Sequence, residues 1–186
     1  DAALRIIATQ GIAALTTRRL AAEVGLTTGA IFRHFASLDA LLDAVVARVE
    51  AVLAATFPLA TLPPLAQLEQ FIAARSTAVG SQLGILRLVL SEQFLLALPE
   101  RSSQRLAACV HKTRAFGAAT VRAGQEDDSI RIDDAVEALV PIVMGTIQML
   151  ALRRGHSVDA NLVRAGLLTL VRPLTAAPAA PRKRSS

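Results

Sequence analysis

The chain has 186 residues and a net charge of +5, and 53% of its residues are hydrophobic, enough to bury a sizeable core. Alanine and leucine dominate, Trp and Tyr are absent, and β-branched runs are few, which argues against sheets and predicts an all-α fold. The single Cys109 excludes an internal disulfide framework and points to a reducing, cytoplasmic compartment.

Charge placement says more than the total. Residues 1–50 hold five Arg (Arg5, Arg18, Arg19, Arg33, Arg48) against five acids (Asp1, Glu23, Asp39, Asp43, Glu50), so this region is neutral overall. Excess positive charge lies later, notably at Arg182, Lys183 and Arg184. Residues 176–186 are Ala/Pro-rich and then basic, and read as a disordered tail. The chain starts at Asp1 without a Met, which reads as a missing true N-terminus, and no basic-then-apolar leader opens it.

Helical periodicity predicts about nine helices. The first carries Leu4, Ile6 and Ile7 and stops near Gly11, a natural left-handed position. Thr16 can cap a second over Thr17 to Val24, with Leu20, Ala21 and Val24 inward, and Gly25 breaks it. Thr27 caps a short third helix, about Thr28 to Phe35. A fourth starts near Ser37 and carries Leu41, Leu42, Val45, Val46, Val49 and Leu53 at helical spacing. Pro63 and Pro64 open a fifth with Leu68, Phe71, Ile72 and Val79 on one side. A sixth runs from Ile85 to about Leu98, and a seventh follows Pro99 up to a polar loop at 124–131. Asp134 and Glu137 have capping-box spacing for an eighth, and Val158 to Val171 forms a ninth. The stretch from Ala138 to Leu152 is almost wholly apolar but shorter than the roughly 20 residues a membrane span needs, so a buried or interface helix is expected and no membrane partner.

The sharpest local signal is Leu20 to Phe35. Two helices crossing at a tight turn need a small residue on the first helix, here Ala21, and a residue tolerant of positive φ four positions on, here Gly25. Leu20, Val24, Leu26 and Ile31 fall where apolar wedges are required. This spacing fits a helix-turn-helix, and it also fits an ordinary helical hairpin with a glycine turn. The wider pattern is Gly11 with Thr16, then Leu20-Ala21, Val24-Gly25-Leu26-Thr27, Gly29, Ile31-Phe32, His34-Phe35, Ser37 and Leu41-Leu42. Over Leu4 to Val46 it resembles the N-terminal signature of the tetracycline-repressor (TetR) family.

That resemblance implies a three-helix DNA-binding head at 1–46 and a helical ligand-binding and dimerisation body at 47–175. It implies a homodimer on a double-stranded DNA operator; a repressor relieved by a small effector is expected, with a ligand that promotes DNA binding as the other sign. Two positions depart from the family: Phe32 stands where Tyr is usual, and Leu38 where Lys is usual. A phenolic hydroxyl and a cation for phosphate contact are therefore missing. On the recognition helix, Thr28, Gly29, Ala30 and Arg33 are the candidate groups facing the major groove. Arg33 can donate two hydrogen bonds to a guanine edge, and Ala30 can meet a thymine methyl. Thr27, Thr28 and His34 are candidates for phosphate, as are Thr17, Arg18 and Arg19 on the preceding helix. Arg18 and Arg19 also read as a solvated face, and His34 as packing at a helix end.

The body exceeds what DNA binding needs. Its apolar faces carry a few polar groups, among them Arg75, Arg114 and Gln148, which suits a lipophilic effector. Candidate ligand contacts are Phe71, Leu86, Leu90, Phe94, Val110, Phe116, Met144 and Met149, each of which also reads as plain core. Val136, Leu139, Val140, Val143, Ile147 and Leu150 on the eighth helix, with Leu162, Val163, Leu167, Leu170 and Val171 on the ninth, are expected to form the dimer interface. No catalytic set, metal spacing or cofactor loop is found: His34, His111 and His156 lie far apart, and Cys109 and His111 point in different directions on one helix. An enzyme is therefore not expected. The alternative to a regulator is a helical interaction or dimerisation module without ligand sensing.

Overall fold

The structure is a computed structural model that describes residues 1–81, 85, 92–152 and 159–173; for residues 92–94 and 152 it describes the backbone only. The helices in the described residues are α1 (Ala2–Gln10), α2 (Thr17–Val24), α3 (Thr28–His34), α4 (Leu38–Ala54), α5 (Pro64–Ser81), α6 (Glu92–Ala97), α7 (Glu100–Glu126), α8 (Val136–Leu152) and α9 (Ala160–Val171), with a short 3₁₀ turn at Ile12–Ala14. There is no strand among the described residues, so the all-α expectation holds.

The head is set by local chemistry. Three hydroxyls cap three successive helices: the Thr16 side chain accepts from Arg19 N at 3.1 Å, Thr27 from Ala30 N at 3.2 Å, and Ser37 from Ala40 N at 3.1 Å. Gly25 ends α2 in the left-handed region (φ 67°, ψ 29°). Leu26 N then donates to Ala21 O at 2.9 Å and Gly25 N to Ala22 O at 3.4 Å, which satisfies the last carbonyls of α2. Gly11 also has positive φ, 85°, but its ψ of 171° is extended. The expected left-handed stop is thus replaced by a conformation that is almost glycine-only. Leu4, Ile6, Ile7, Leu15, Leu20, Ala21 and Ile31 close a small core against Leu41, Leu42 and Val45 of α4.

α5 is the central helix of the body, packed against α4, α7, α8 and α9. Two apolar cores result. One joins the head to Leu53, Val79, Ile85, Leu106 and Ala151. The other gathers Leu68, Phe71, Ile72, Val121, Ile130, Leu139, Val143, Ile147, Leu167 and Val171. This second set corrects the expected dimer stripe. Leu139, Val143 and Ile147 are each 3% exposed, and Leu167 and Val171 are 3% and 1%, so these residues pack inside the protomer. The apolar residues left outside on the same helices are Ile142, Met149, Leu162 and Leu170.

The segment between α7 and α8 also differs from expectation. α7 runs on through Gly124 to Glu126, because Gly124 faces the body rather than a turn. Asp134 pairs with Arg131 at 2.9 Å instead of capping α8. Arg131 N donates to Val171 O at 2.9 Å, and the Gln125 amide donates to Arg131 O and Asp134 O, so the segment is tied to α9 and to α7. A Cβ on Gly124 would lie 2.5 Å from Cδ1 of Ile130, a fully buried side chain with no room to retreat. Gly124→Ala is expected to cost about 1–2 kcal/mol net of the helix-propensity gain. Gly117→Ala is the control, because its Cβ would meet Val140 at an ordinary 3.6 Å and the helix gains. Thermal denaturation followed by circular dichroism should lower the Gly124→Ala midpoint and leave that of Gly117→Ala equal or higher.

Candidate functional site

α2 and α3 form a helix-turn-helix. Ile31, 4% exposed, anchors α3 against the head core, and this turns Phe32 and Arg33 outward with Gly29. Arg18, Arg19, Arg33 and His34 are exposed, whereas Thr17, Thr28 and Ala30 are half-buried. The acids of the head are largely engaged elsewhere: Glu23 pairs with Arg5 at 3.4 Å, Asp1 with Arg48 at 3.0 Å, and Asp43 and Glu50 with Arg105. Among the described residues, Arg18, Arg19 and Arg33 have no carboxylate partner within 4 Å. A head that is neutral by count is thus cationic on its α2–α3 face. Thr16, Thr27 and Ser37 accept hydrogen bonds as caps, so each hydroxyl proton is still free to be donated to a phosphate oxygen.

Phe32 was legible only as a missing hydroxyl. It is 49% exposed beside Arg33, and Leu26 and Leu38 are 50% and 43% exposed around it. Large apolar groups held out on a cationic face can pack against sugars and thymine methyls. The sequence carries no local signal for this exposure: Leu41 and Leu42 are just as adjacent on α4 and both are buried.

α4 leaves the head as one unbroken helix and carries Asp43 and Glu50 to α7. Arg105 Nη1 donates to Asp43 Oδ1 at 2.7 Å, its Nε donates to Glu50 Oε1 at 3.2 Å, and its Nη2 donates to Glu50 Oε2. Ser102 Oγ adds a bond to Asp43 at 3.1 Å. Partial burial works against the Asp43 carboxylate, yet Ser102 and Arg105 together hold its pKa below the ordinary value. The bonds to Glu50 likewise raise the Arg105 guanidinium.

Below this clasp lies a cavity of about 140 Å3. Leu53 of α4, Arg75 and Val79 of α5, Ile85, Val110, Thr113 and Arg114 of α7, and Met144, Ile147 and Gln148 of α8 line it. Leu53, Val79 and Ile85 belong to the head-side core and Ile147 to the body core, so the cavity sits at the seam between the two. Of the candidate ligand contacts, Val110 and Met144 are in its wall. Phe71 and Phe116 are not. Their rings cluster with that of Phe57, the three pairs at centroid distances of 4.8–5.7 Å, and Phe57 and Phe71 lie against the Arg75 guanidinium. Met149 is 43% exposed and lies outside the cavity, because two residues past Ile147 is about 200° round the helix. Leu86, Leu90 and the Phe94 side chain lie outside the described residues, as do His156 and the tail at 176–186.

The described residues hold no group of three or more His, Cys, Asp or Glu side chains placed to bind a metal, and no described helix is long and apolar enough to cross a membrane. A helix-turn-helix with a cationic outer face, set on a helical body with an apolar cavity, is an arrangement able to meet duplex DNA. Residues 1–45 match the family model described as "Bacterial regulatory proteins, tetR family". The head is similar in sequence to that family, and the whole chain shares its fold with solved structures described by that name. The TetR-family transcriptional regulator PfmR from Thermus thermophilus is similar at 20% identity, covering 94% of this chain and 97% of that one, with a TM-score of 0.74. The ketosteroid transcriptional regulator KstR2 of Mycobacterium tuberculosis is similar at 21% identity over 92% and 91%, TM-score 0.72. AibR, in complex with isovaleryl coenzyme A and operator DNA, is similar at 13% identity over 91% and 94%, TM-score 0.74. No curated protein matches by sequence.

Proposed function

We propose that this chain is a cytoplasmic, non-enzymatic transcriptional repressor that binds its operator as a homodimer and is released by a small lipophilic effector. The head is 1–46 and the body 47–175, with α4 continuous across the boundary. The observation that carries this reading is the path through α4. The helix begins three residues beyond Phe35, at the end of the recognition segment, and Leu53 near its far end is in the cavity wall. α7 clasps α4 through Arg105 and supplies Val110, Thr113 and Arg114 to the same cavity. A ligand that favours one packing of this seam moves α4 and with it the separation of the two heads. Half-sites in successive major grooves require roughly 34–36 Å between recognition helices, so a small tilt decides binding. The ligand can shift the equilibrium only by its differential affinity for the two packings. AibR, whose structure holds both an acyl coenzyme A and operator DNA on a similar fold, supports this pairing of sites.

The test begins with duplexes selected from a random pool. Affinity for the selected duplex should fall steeply with salt, by about 10³-fold or more between roughly 50 and 200 mM for a dimer with several phosphate contacts. A lipophilic compound that raises the melting temperature of the protein should then lower operator affinity. Absence of duplex binding would leave a helical interaction module as the reading. Binding that is indifferent to every stabilising compound would reduce the body to a dimerisation domain.

A further inference from the structure

Arg75 is out of place in an apolar interior. It is 3% exposed on the buried face of α5, and Phe57 and Phe71 lie against it with ring centroids 5.1 and 4.9 Å from its guanidinium carbon. Among the described residues, its Nε and Nη2 meet no hydrogen-bond acceptor. An isolated charge in such a place is costly unless it is paired. Burial pushes the guanidinium down to about 10, which still leaves it charged at neutral pH.

Among the described residues the cavity it lines offers no counter-charge: the Arg and carboxylate side chains there are Arg75 and Arg114, with no acid. The other polar groups there are the Thr113 hydroxyl, which donates to Cys109 O at 2.9 Å, and the Gln148 amide. Arg75 lines the cavity, and a guanidinium presents parallel N–H pairs that match the two oxygens of a carboxylate.

On the reading that this cavity is the effector site, we propose that the effector is an amphiphilic carboxylate, its head group held by the guanidinium of Arg75 and its apolar chain against Leu53, Val79, Ile85, Met144 and Ile147. The anion completes a site that the protein leaves half-built. The apolar wall accounts for the tail and the buried Arg75 guanidinium for the head. A neutral head group of the same size leaves the buried cation without its ionic partner and loses affinity for that reason.

The experiment is isothermal titration of the intact chain with butanoate, hexanoate and octanoate, each beside the alcohol and the amine of the same chain length. At least one acid should bind roughly tenfold or more tighter than its alcohol, as expected for a charge-assisted pair, and the amine should not bind. Arg75→Met should abolish the preference for acid over alcohol, and without any ligand it should melt at or above the wild-type temperature, because a buried unpaired charge has gone. Arg75→Lys keeps the charge but not the fork, and should weaken the acid several-fold while leaving the alcohol unchanged. Equal binding of acid and alcohol by the wild-type chain would overturn the proposal while leaving the cavity as an effector site. So would an acid preference that survives in Arg75→Met. If no member of any series binds, the effector-site reading fails along with it.

Discussion

Ile142→Glu is expected to convert the protein from dimer to monomer at micromolar concentration and, with that, to remove most of its operator affinity. The case rests on what α8 and α9 leave uncovered. Ile142 and Met149 are 49% and 43% exposed on α8, and Leu162 and Leu170 are 69% and 61% exposed on α9. Gly145 and Gly166 lie on the same exposed sides, and a Cβ on either would meet nothing within 4 Å. Glycine inside a helix costs about 1 kcal/mol relative to alanine, so two of them on open faces suit a surface that another backbone approaches closely. An isologous pairing of α8 and α9 with their symmetry mates would bury all six positions in a four-helix contact. A carboxylate at the centre of that contact has no partner and costs several kcal/mol. Sedimentation equilibrium reads the result directly. Gly145→Leu supplies the independent check. In a monomer it should stabilise α8 through helix propensity, whereas in the dimer it holds the two helices apart. A Gly145→Leu protein that stays dimeric would place the interface elsewhere.

The helix ends of the head were readable from sequence because they are local features; its faces were not all so, since Val24 and Leu26, expected as inward wedges, are 41% and 50% exposed. Thr16, Thr27 and Ser37 cap the next helix three residues on, and Gly25 needs only its own φ to end α2. No distant residue enters those decisions. The body was readable as helices but not as faces. α8 is apolar on every side, so its period cannot say whether Val143 or Ile142 points inward; only packing against α5 and α7 decides, and it buries Val143. The same ambiguity placed Met149 in the cavity. Gly124 misled for a different reason. A glycine followed by acids reads as a turn, but here the missing side chain makes room for Ile130 six residues later. Arg75 was visible as a polar residue on an apolar helix. Its isolation was not, since that depends on Phe57, Phe71 and an acid-free wall assembled from four helices and Ile85.

Arg33→Ala and Arg18→Ala should separate reading from holding. Both side chains are exposed and, among the described residues, neither has a carboxylate partner, so in each variant the loss is of DNA contact and not of fold. Arg33 sits one turn beyond Gly29 on α3, on the outward side fixed by Ile31. From there a guanidinium can donate two bonds to a guanine edge, a contact worth about 1–3 kcal/mol against a wrong base. A symmetric dimer makes the contact twice, so Arg33→Ala should cost about 2–6 kcal/mol on the selected duplex and much less on random DNA. Selection repeated with the variant should show one base position relaxed in each half-site. Arg18 lies in the first turn of α2, behind the Thr16 cap, where a backbone phosphate is the reachable group. Its removal should weaken selected and random duplexes by a similar factor and reduce the salt slope by about 1 per head. Fluorescence anisotropy with labelled duplexes at several salt concentrations measures all four quantities. If the two variants lose affinity equally on both kinds of DNA, then α3 does not read bases through Arg33, and the assignment of roles to α2 and α3 fails.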